Sequence, residues 1–392
     1  MKIKRIFTNK FSSKYGDTNN SFGQPLGVKS IVLISVESSD GIIRSHELYA
    51  GIYVPDVIDV LVDFIKPQYM KKEFTLESLP DNSVGIPFIT NSGLFKSIKG
   101  AIDSCIFQIL LNQANITLVQ GIKNLLNMKI QREKGSEDIK YYASGGSVAF
   151  SEKECVADCS VAISEKYDGF KMRCGWQDFS LDIKRVFYVN EYVKNNIENK
   201  DFSLMVDFIQ GTLHPKFNLK DLEKYISEFK SLNILWFEEP LDPNNYTLYQ
   251  NLSNNYLYNF SLGESFSSFN EYMTYQDILN YYQIDVTHLG GFEEAVNVLN
   301  YFSNKPKKIT FTSHVWGSQV SLLLNLALCK ACNLIKWFEI PLLSFEINNH
   351  LFKKNIIDPR KINDEQIDML LSSLNINQNP KYEFKPGSGY RI

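Results

Sequence analysis

The residues best placed to do chemistry in this chain are acids that close apolar runs. Asp207 lies near the end of FSLMVDF, Glu238 and Glu239 end ILWFEE, and Glu264 ends FSLGE. Successive strand positions face opposite ways, so one of Glu238 and Glu239 turns inward and needs a partner there. Carboxylates ending three successive strands come side by side once those strands pair, and they repel until a proton or a cation neutralises them. All-oxygen ligation, with no Cys or His in the set, suits a hard cation such as Mg2+, which keeps positions open for water and substrate. Asp207, Glu238 and Glu264 are the expected metal ligands, with Glu239 a structural acid behind the rim.

The next two strands, QIDV and KKITFTSH, bring Asp285 and His314 to the opposite side of the mouth. A carboxylate beside an imidazole fixes its tautomer and raises its basicity, as a general base near neutral pH requires. His46, His214, His288 and His350 lack such support and read as ordinary polar residues. A metal facing a base suits removal of a proton next to a carboxylate, because the enediolate formed carries a second negative charge that must be stabilised. Lys171 adds positive charge from the second strand. Glu339, near the end of IKWFEI, would donate a hydrogen bond to the other substrate oxygen if its surroundings keep it protonated. Arg173, two residues past Lys171, joins the catalytic candidates, and Ser144 in KYYASG is a candidate substrate contact.

These groups need a scaffold that gathers strand ends. From about Lys140 onward, eight short apolar strands alternate with helix-length polar stretches, long enough for parallel crossovers. That pattern predicts a closed α/β barrel, in which reactive groups collect at the C-terminal ends of the strands. Upstream, SIVLISVESS and GIIRSHELYAG join at Asp40-Gly41, a hairpin signal, and helical stretches follow near 56–68 and 98–128. Strands followed by helices predict an α+β domain. Its loop from Tyr15 to Gly27 and its segment from Glu47 to Tyr53, with Tyr49 and Tyr53, are expected to read the substrate.

Bulk properties narrow the function classes. At 392 residues, 44% apolar and 13% aromatic, the chain can fill a large barrel and a smaller domain. A net charge of −3, spread evenly, with no basic stripe, argues against nucleic acid or an anionic membrane as partner and favours a small molecule. No segment approaches the roughly 18 continuous apolar residues of a membrane span, and the opening stretch has no signal-peptide core, so a cytoplasmic protein is expected. The six cysteines lack zinc-site spacing, and Cys329 and Cys332 read as buried free thiols.

Taken in order, YASGG, FKMR, MVDF, WFEEP, LGES, IDVTHLGGFEEA, FTSH, WFEIP and a late PGSG resemble the mandelate racemase subgroup of the enolase superfamily. The resemblance implies a modified TIM barrel, (β/α)7β, over residues 129–360, an α+β capping domain over 1–128, and a tail over 361–392 packing back on the cap, often in a homo-oligomer. It implies Mg2+ on Asp207, Glu238 and Glu264, the His314/Asp285 dyad as base or acid, and Glu339 with Lys171 as oxyanion stabilisers. PGSG is then tail structure rather than a phosphate loop. Two positions depart from the pattern. Arg173 stands where two-base racemases carry lysine, and a guanidinium is almost never deprotonated. Ile209 stands where relatives carry Asn or, in some dehydratases, a catalytic His. A one-histidine dehydration of an acid sugar, aldonate or aldarate, to a 2-keto-3-deoxy acid is therefore expected over racemisation or epimerisation of a 2-hydroxy acid, where Arg173 would have to act as a base assisted by its neighbours. A non-catalytic sugar-acid-binding barrel is the alternative from another class.

Overall fold

The computed structural model describes residues 1–14, 28–78, 93–133, 137–175, 179–197, 202–209, 219–255, 258–342, 351–352 and 357–376. The chain first builds a three-stranded antiparallel sheet, β1 (Ile3–Lys14), β2 (Val28–Ser38) and β3 (Ile43–Leu48), in that order. β2 and β3 turn back around Asp40 and Gly41, and Gly41 takes φ +88°, a value natural only to glycine. The helix Pro55–Tyr69 buries Ile58, Val62, Ile65 and Tyr69, a spacing of four, three and four that keeps one helical face on the sheet. The helix predicted over 98–128 is two helices, Gly93–Gln113 and Leu118–Leu125. Asn115 between them adopts φ +56°, the left-handed conformation that asparagine tolerates, and Thr117 then caps the second helix by accepting from the Gln120 amide.

Eight parallel strands follow: β4 (Lys140–Gly145), β5 (Gly169–Arg173), β6 (Ser203–Asp207), β7 (Ile234–Glu238), β8 (Phe260–Leu262), β9 (Tyr281–Ile284), β10 (Thr310–Ser313) and β11 (Ile335–Pro341). They close as a barrel, β11 pairing with both β4 and β10. Period-two alternation decides what each strand presents. Tyr142, Met205, Trp236 and Trp337 meet as an apolar cluster separate from the outer core, and they form the barrel floor. Two residues further along the same four strands come Ser144, Asp207, Glu238 and Glu339. The intervening Ala143, Val206, Phe237 and Phe338 face outward into the large core shared with the surrounding helices.

The strand predicted as FSLGE stops at Leu262. Gly263 takes φ +130°, and a Cβ there would lie 2.2 Å from the Gln283 carbonyl oxygen. Only glycine lets the backbone bend this close to β9 and swing Glu264 over the mouth.

The cap is seated directly on the strand exits. Ser104 Oγ accepts from the Phe292 amide at 3.2 Å, Ser97 Oγ donates to the His288 carbonyl at 3.1 Å, and the Tyr49 amide donates to Thr287 at 3.2 Å. The helix Asp364–Ser372 packs against β3 and against the helices Leu118–Leu125 and Gln319–Ala331, with the Asp368 carboxylate accepting from the Leu118 amide. All six cysteines are buried free thiols. No described helix is long and apolar enough to cross a membrane.

Candidate active site

Asp207, Glu238 and Glu264 converge at the mouth, each offering a carboxylate oxygen within 4.8 Å of the others, and all three are buried. Lys171 Nζ sits among the acids, 2.7 Å from Glu238 Oε1, 3.2 Å from Glu339 Oε1 and 3.4 Å from Asp207 Oδ2. Glu238 Oε2 accepts from Trp236 Nε1 at 3.0 Å and from Gln283 Nε2 at 2.6 Å, and Gln283 in turn accepts from the Thr312 hydroxyl. Across the mouth, His314 Nδ1 lies 3.0 Å from Asp285 Oδ2, and Nε2 lies 3.5 Å from Glu264 Oε2. Asp285 is itself held by the Thr287 amide and hydroxyl and by Asn325 Nδ2 at 2.9 Å.

Burial pushes the Glu238 carboxyl up to about 7; Lys171 opposes this, while Asp207 and Glu339 reinforce it. Glu264 is pushed well above the ordinary carboxylate range by burial and then by the Asp207, Glu239 and Glu238 charges. Burial pulls Lys171 down, but Glu238 and Glu339 lead a larger opposing effect that holds its ammonium well above the ordinary lysine value. For His314, burial works downward and the Asp285 hydrogen bond, with the Glu339 and Asp285 charges, wins, raising it. Asp285 ends below its ordinary value despite burial, chiefly through His314. An ionised Asp285 can only accept, so Nδ1 carries the proton and Nε2 presents its lone pair to the cleft.

The surroundings of Glu339 favour its ionised form. Burial acts to raise its pKa, but Lys171, His314, the Ser144 hydroxyl and Arg173 together hold it below the ordinary value. It accepts from Lys171 and from the Val315 amide at 3.1 Å, so it anchors its neighbours as an anion rather than donating a hydrogen bond.

A narrow cleft of about 40 Å³ opens above these groups, lined by Tyr49, Tyr53, Lys171, Arg173, Asp207, Ile209, Glu264, His314, Trp316 and Glu339. Ser144, Glu238 and Asp285 stand behind this lining. Ser144 is 1% exposed, and its hydroxyl is engaged by Arg173 and Glu339. Ile209 takes φ +53°, a strained value for a β-branched residue, with its amide bonded to Asp207 Oδ1 at 2.8 Å. Glu239 points behind the rim, accepting from the Gly263 and Ser265 amides and the Ser265 hydroxyl, so it fixes the turn that carries Glu264.

A model of the family described as "Enolase C-terminal domain-like" matches residues 154–369, more than half of the chain. The chain belongs to that family. No curated protein sequence matches it. Among solved structures, it resembles the 3,6-anhydro-D-galactonate cycloisomerase of Zobellia galactanivorans, at 20% identity, 90% coverage of each chain and a TM-score of 0.72. It also resembles L-talarate/galactarate dehydratase of Salmonella typhimurium LT2, at 18% identity, 90% of this chain and 84% of that one, TM-score 0.70. A third is an enolase from alpha proteobacterium BAL199 with bound Mg, at 16% identity, 91% and 93% coverage, TM-score 0.74. At these identities the likeness is one of fold.

Members of the enolase superfamily bind Mg2+, and the donor set here fits that ion. Three buried carboxylates share one small space, and the single ammonium among them leaves two of the three with pKa values raised by burial and by each other's charge. A hard dication relieves both penalties at once.

Several supporting residues escaped the sequence reading. Gln283, Trp236 and Thr312 brace Glu238, and Thr287 and Asn325 brace Asp285. Glu47, assigned to substrate reading, is instead buried against the start of the helix Gln319–Ala331, accepting from the Ser318 amide and hydroxyl and the Ser321 amide. His46 is buried and His288 half-buried at the cap–barrel junction; burial takes His46 down to about 4 and lowers His288. The His288 ring centroid lies 4.6 Å from that of Tyr49, with the two planes tilted by 43°. The segment from Tyr15 to Gly27, His214, His350 and the PGSG stretch lie outside the described residues.

Proposed function

We propose that this protein is a Mg2+-dependent hydro-lyase of an acid sugar, an aldonate or aldarate, that forms a 2-keto-3-deoxy acid. The observation that carries this reading is one oriented imidazole, His314 on Asp285, facing the Asp207–Glu238–Glu264 cluster, with Arg173 where a second base would stand. Racemisation draws on a base at each face of the α-carbon, and a guanidinium is a poor one. Dehydration needs one base that changes role.

Mg2+ held by Asp207, Glu238 and Glu264 would supply positive charge against the second negative charge of the enediolate. His314 Nε2 takes the α-proton, and the C–H electron pair passes into the enediolate. Those electrons return to expel the β-hydroxyl, which leaves as water with the proton from Nε2. The enol so formed tautomerises to the 2-keto acid. Asp285 keeps Nε2 as the reacting nitrogen throughout, and Asn325 and Thr287 keep Asp285 in place. Lys171 sets an ammonium beside the substrate carboxylate, and Glu339 holds Lys171 there. Tyr49 and Tyr53 cover the cleft from the cap.

The test is a panel of aldonic and aldaric acids incubated with the Mg2+-loaded protein and assayed for 2-keto acid, with His314→Asn as control. Product with the native protein and none with the variant supports the reading. Solvent deuterium entering the α-position with inversion and no keto product would make the protein an isomerase instead. No keto product from any acid in the panel would end the proposal.

A further inference from the structure

A second cavity, of about 250 Å³, shares no lining residue with the active-site cleft. Its walls come from β3, from the end of the helix Gly93–Gln113, from the turn into the helix Leu118–Leu125, and from the helix Asp364–Ser372. One water needs roughly 10–15 Å³, so the space admits a small organic molecule. Arg44 lines it from β3 and is 9% exposed. Its Nη1 donates to the Ile43 carbonyl at 2.8 Å, while Nε and Nη2 bond no described residue. A guanidinium has five N–H donors, so most of this one's capacity is unspent. Asp368 lines the same cavity and acts on Arg44 through space, without forming an ion pair. Burial outweighs the Asp368 and Cys105 charges and pulls Arg44 below its ordinary value. Burial likewise raises Asp368, against the Leu118 amide and the Arg44 charge. Two opposite charges thus border one cavity, each short of a partner that would offset its burial.

The rest of the lining defines the missing partner. Gln108 is 5% exposed and spends its Nε2 on the Ser104 carbonyl at 3.2 Å, which leaves its side-chain oxygen as an acceptor. Glu365 adds a second carboxylate at the exposed rim. Leu111, Ile116 and Leu118 supply apolar surface. The planar fork of Arg44 suits a two-oxygen anion, and the acids with Gln108 suit a donor that carries positive charge. A single small molecule meets both demands if it is a zwitterion with a short apolar arm.

We infer that this cavity binds a free α-amino acid with an apolar side chain, its carboxylate on Arg44 and its ammonium on Asp368 and Glu365. The site is independent of the dehydratase reading and of the metal cluster. A ligand held this way joins β3 of the cap to the helix Asp364–Ser372, so its binding also stabilises the fold.

The test titrates leucine calorimetrically into the full chain, beside isocaproate, which is leucine without its ammonium, and isoamylamine, which is leucine without its carboxylate. Valine, isoleucine, methionine and phenylalanine complete the panel, and a thermal scan with each ligand gives a second readout. At least one of these amino acids binds and raises Tm, and the two half-molecules bind about tenfold or more weaker than leucine, the range of a charge-assisted hydrogen bond. Arg44→Met weakens amino-acid binding about tenfold or more without weakening isoamylamine, and Asp368→Asn weakens it without weakening isocaproate. EDTA leaves the affinity unchanged. No binding and no rise in Tm with any amino acid of the panel at about 10 mM overturns the inference. Isocaproate bound as tightly as leucine reduces the site to an anion pocket and overturns it too, as does affinity retained in Arg44→Met. Binding abolished by EDTA would place the amino acid at the metal cluster instead and refute the assignment. Should Arg44→Met fail to fold, the half-molecules on the native protein and Asp368→Asn still decide.

Discussion

Stripping the metal should make this protein less stable as pH rises, and restoring Mg2+ should cancel the loss. The folded pKa of Glu238 is about 7 against an ordinary 4.5. A raised carboxyl keeps its proton in the folded state at pH values where the unfolded chain has released it. Stability therefore falls as pH rises from 4.5 to about 7 and is level above that. The whole shift corresponds to about 3 to 4 kcal/mol at roughly 1.4 kcal/mol per pH unit, of which about 3 falls between pH 5 and pH 8. Glu264, raised first by burial and then by neighbouring acids, adds in the same direction. His314, also raised, loses stabilisation above its ordinary 6.5 and has the same sign, so His314→Asn serves as the background that isolates the acids. Asp285 and Glu339 are held low and complete their contributions below about pH 5, outside the window. Mg2+ binds the ionised cluster, so the stabilisation it confers grows over the same range. At about 2 °C per kcal/mol for a large domain, the rise in Tm produced by saturating Mg2+ over EDTA should be roughly 6 °C greater at pH 8 than at pH 5. Scanning calorimetry at both pH values reads it. A Mg2+ shift equal at the two pH values, or EDTA-treated protein that gains stability between them, would refute the reasoning, and Glu238→Gln should abolish most of the Mg2+ response.

Asp285→Asn should lower kcat by about a hundredfold or more and move the acid limb of the kcat/KM profile to lower pH, because Asp285 both orients His314 and raises its pKa; an unmoved limb would count against the dyad. Asn325→Leu puts an apolar side chain into an apolar helix, yet it should cost about 2–4 kcal/mol in urea denaturation, since Asp285 Oδ1 loses a donor and the Val286 amide its acceptor. A stabilised variant would contradict that account. Glu47→Ala should cost about 2–3 kcal/mol and speed hydrogen exchange at the Ser318 and Ser321 amides, which lose their acceptor. Exchange rates unchanged from the native protein would show that Glu47 does not latch the cap.

The eight strands and the acids at their ends were legible because both are local properties of a periodic backbone. A residue two positions past Tyr142, Met205, Trp236 or Trp337 faces the same way as its predecessor, so reading alternation also reads the rim. The Gly263 bend was less visible: Glu264 reads as the last residue of FSLGE, and only the contact with Gln283 shows why the strand must stop short. Glu47 was misassigned because its partners lie 271 and 274 residues away, and no local pattern reports on a carboxylate that caps a helix in another part of the chain. The protonation of Glu339 stays conditional in the sequence for a related reason: its state is a sum of burial against Lys171, His314, Ser144 and Arg173, and that sum needs distances.

Gln283 and Asn325 are instructive because the signal was present in the sequence. An inward carboxylate such as Glu238 needs donors on both oxygens, and Lys171 reaches only Oε1. The donors for Oε2 had to come from inward positions below the rim, where the floor is otherwise apolar. Trp236 offers an indole N–H on the same strand, and Gln283, two residues before Asp285, is a polar side chain at floor level where a wholly apolar floor would place a hydrophobe. The same logic applies to Asn325, a lone amide in SLLLNLALC whose helix packs beside the dyad. A buried acid specifies its own neighbours, so polar residues interrupting an apolar face mark the groups that hold the reacting ones.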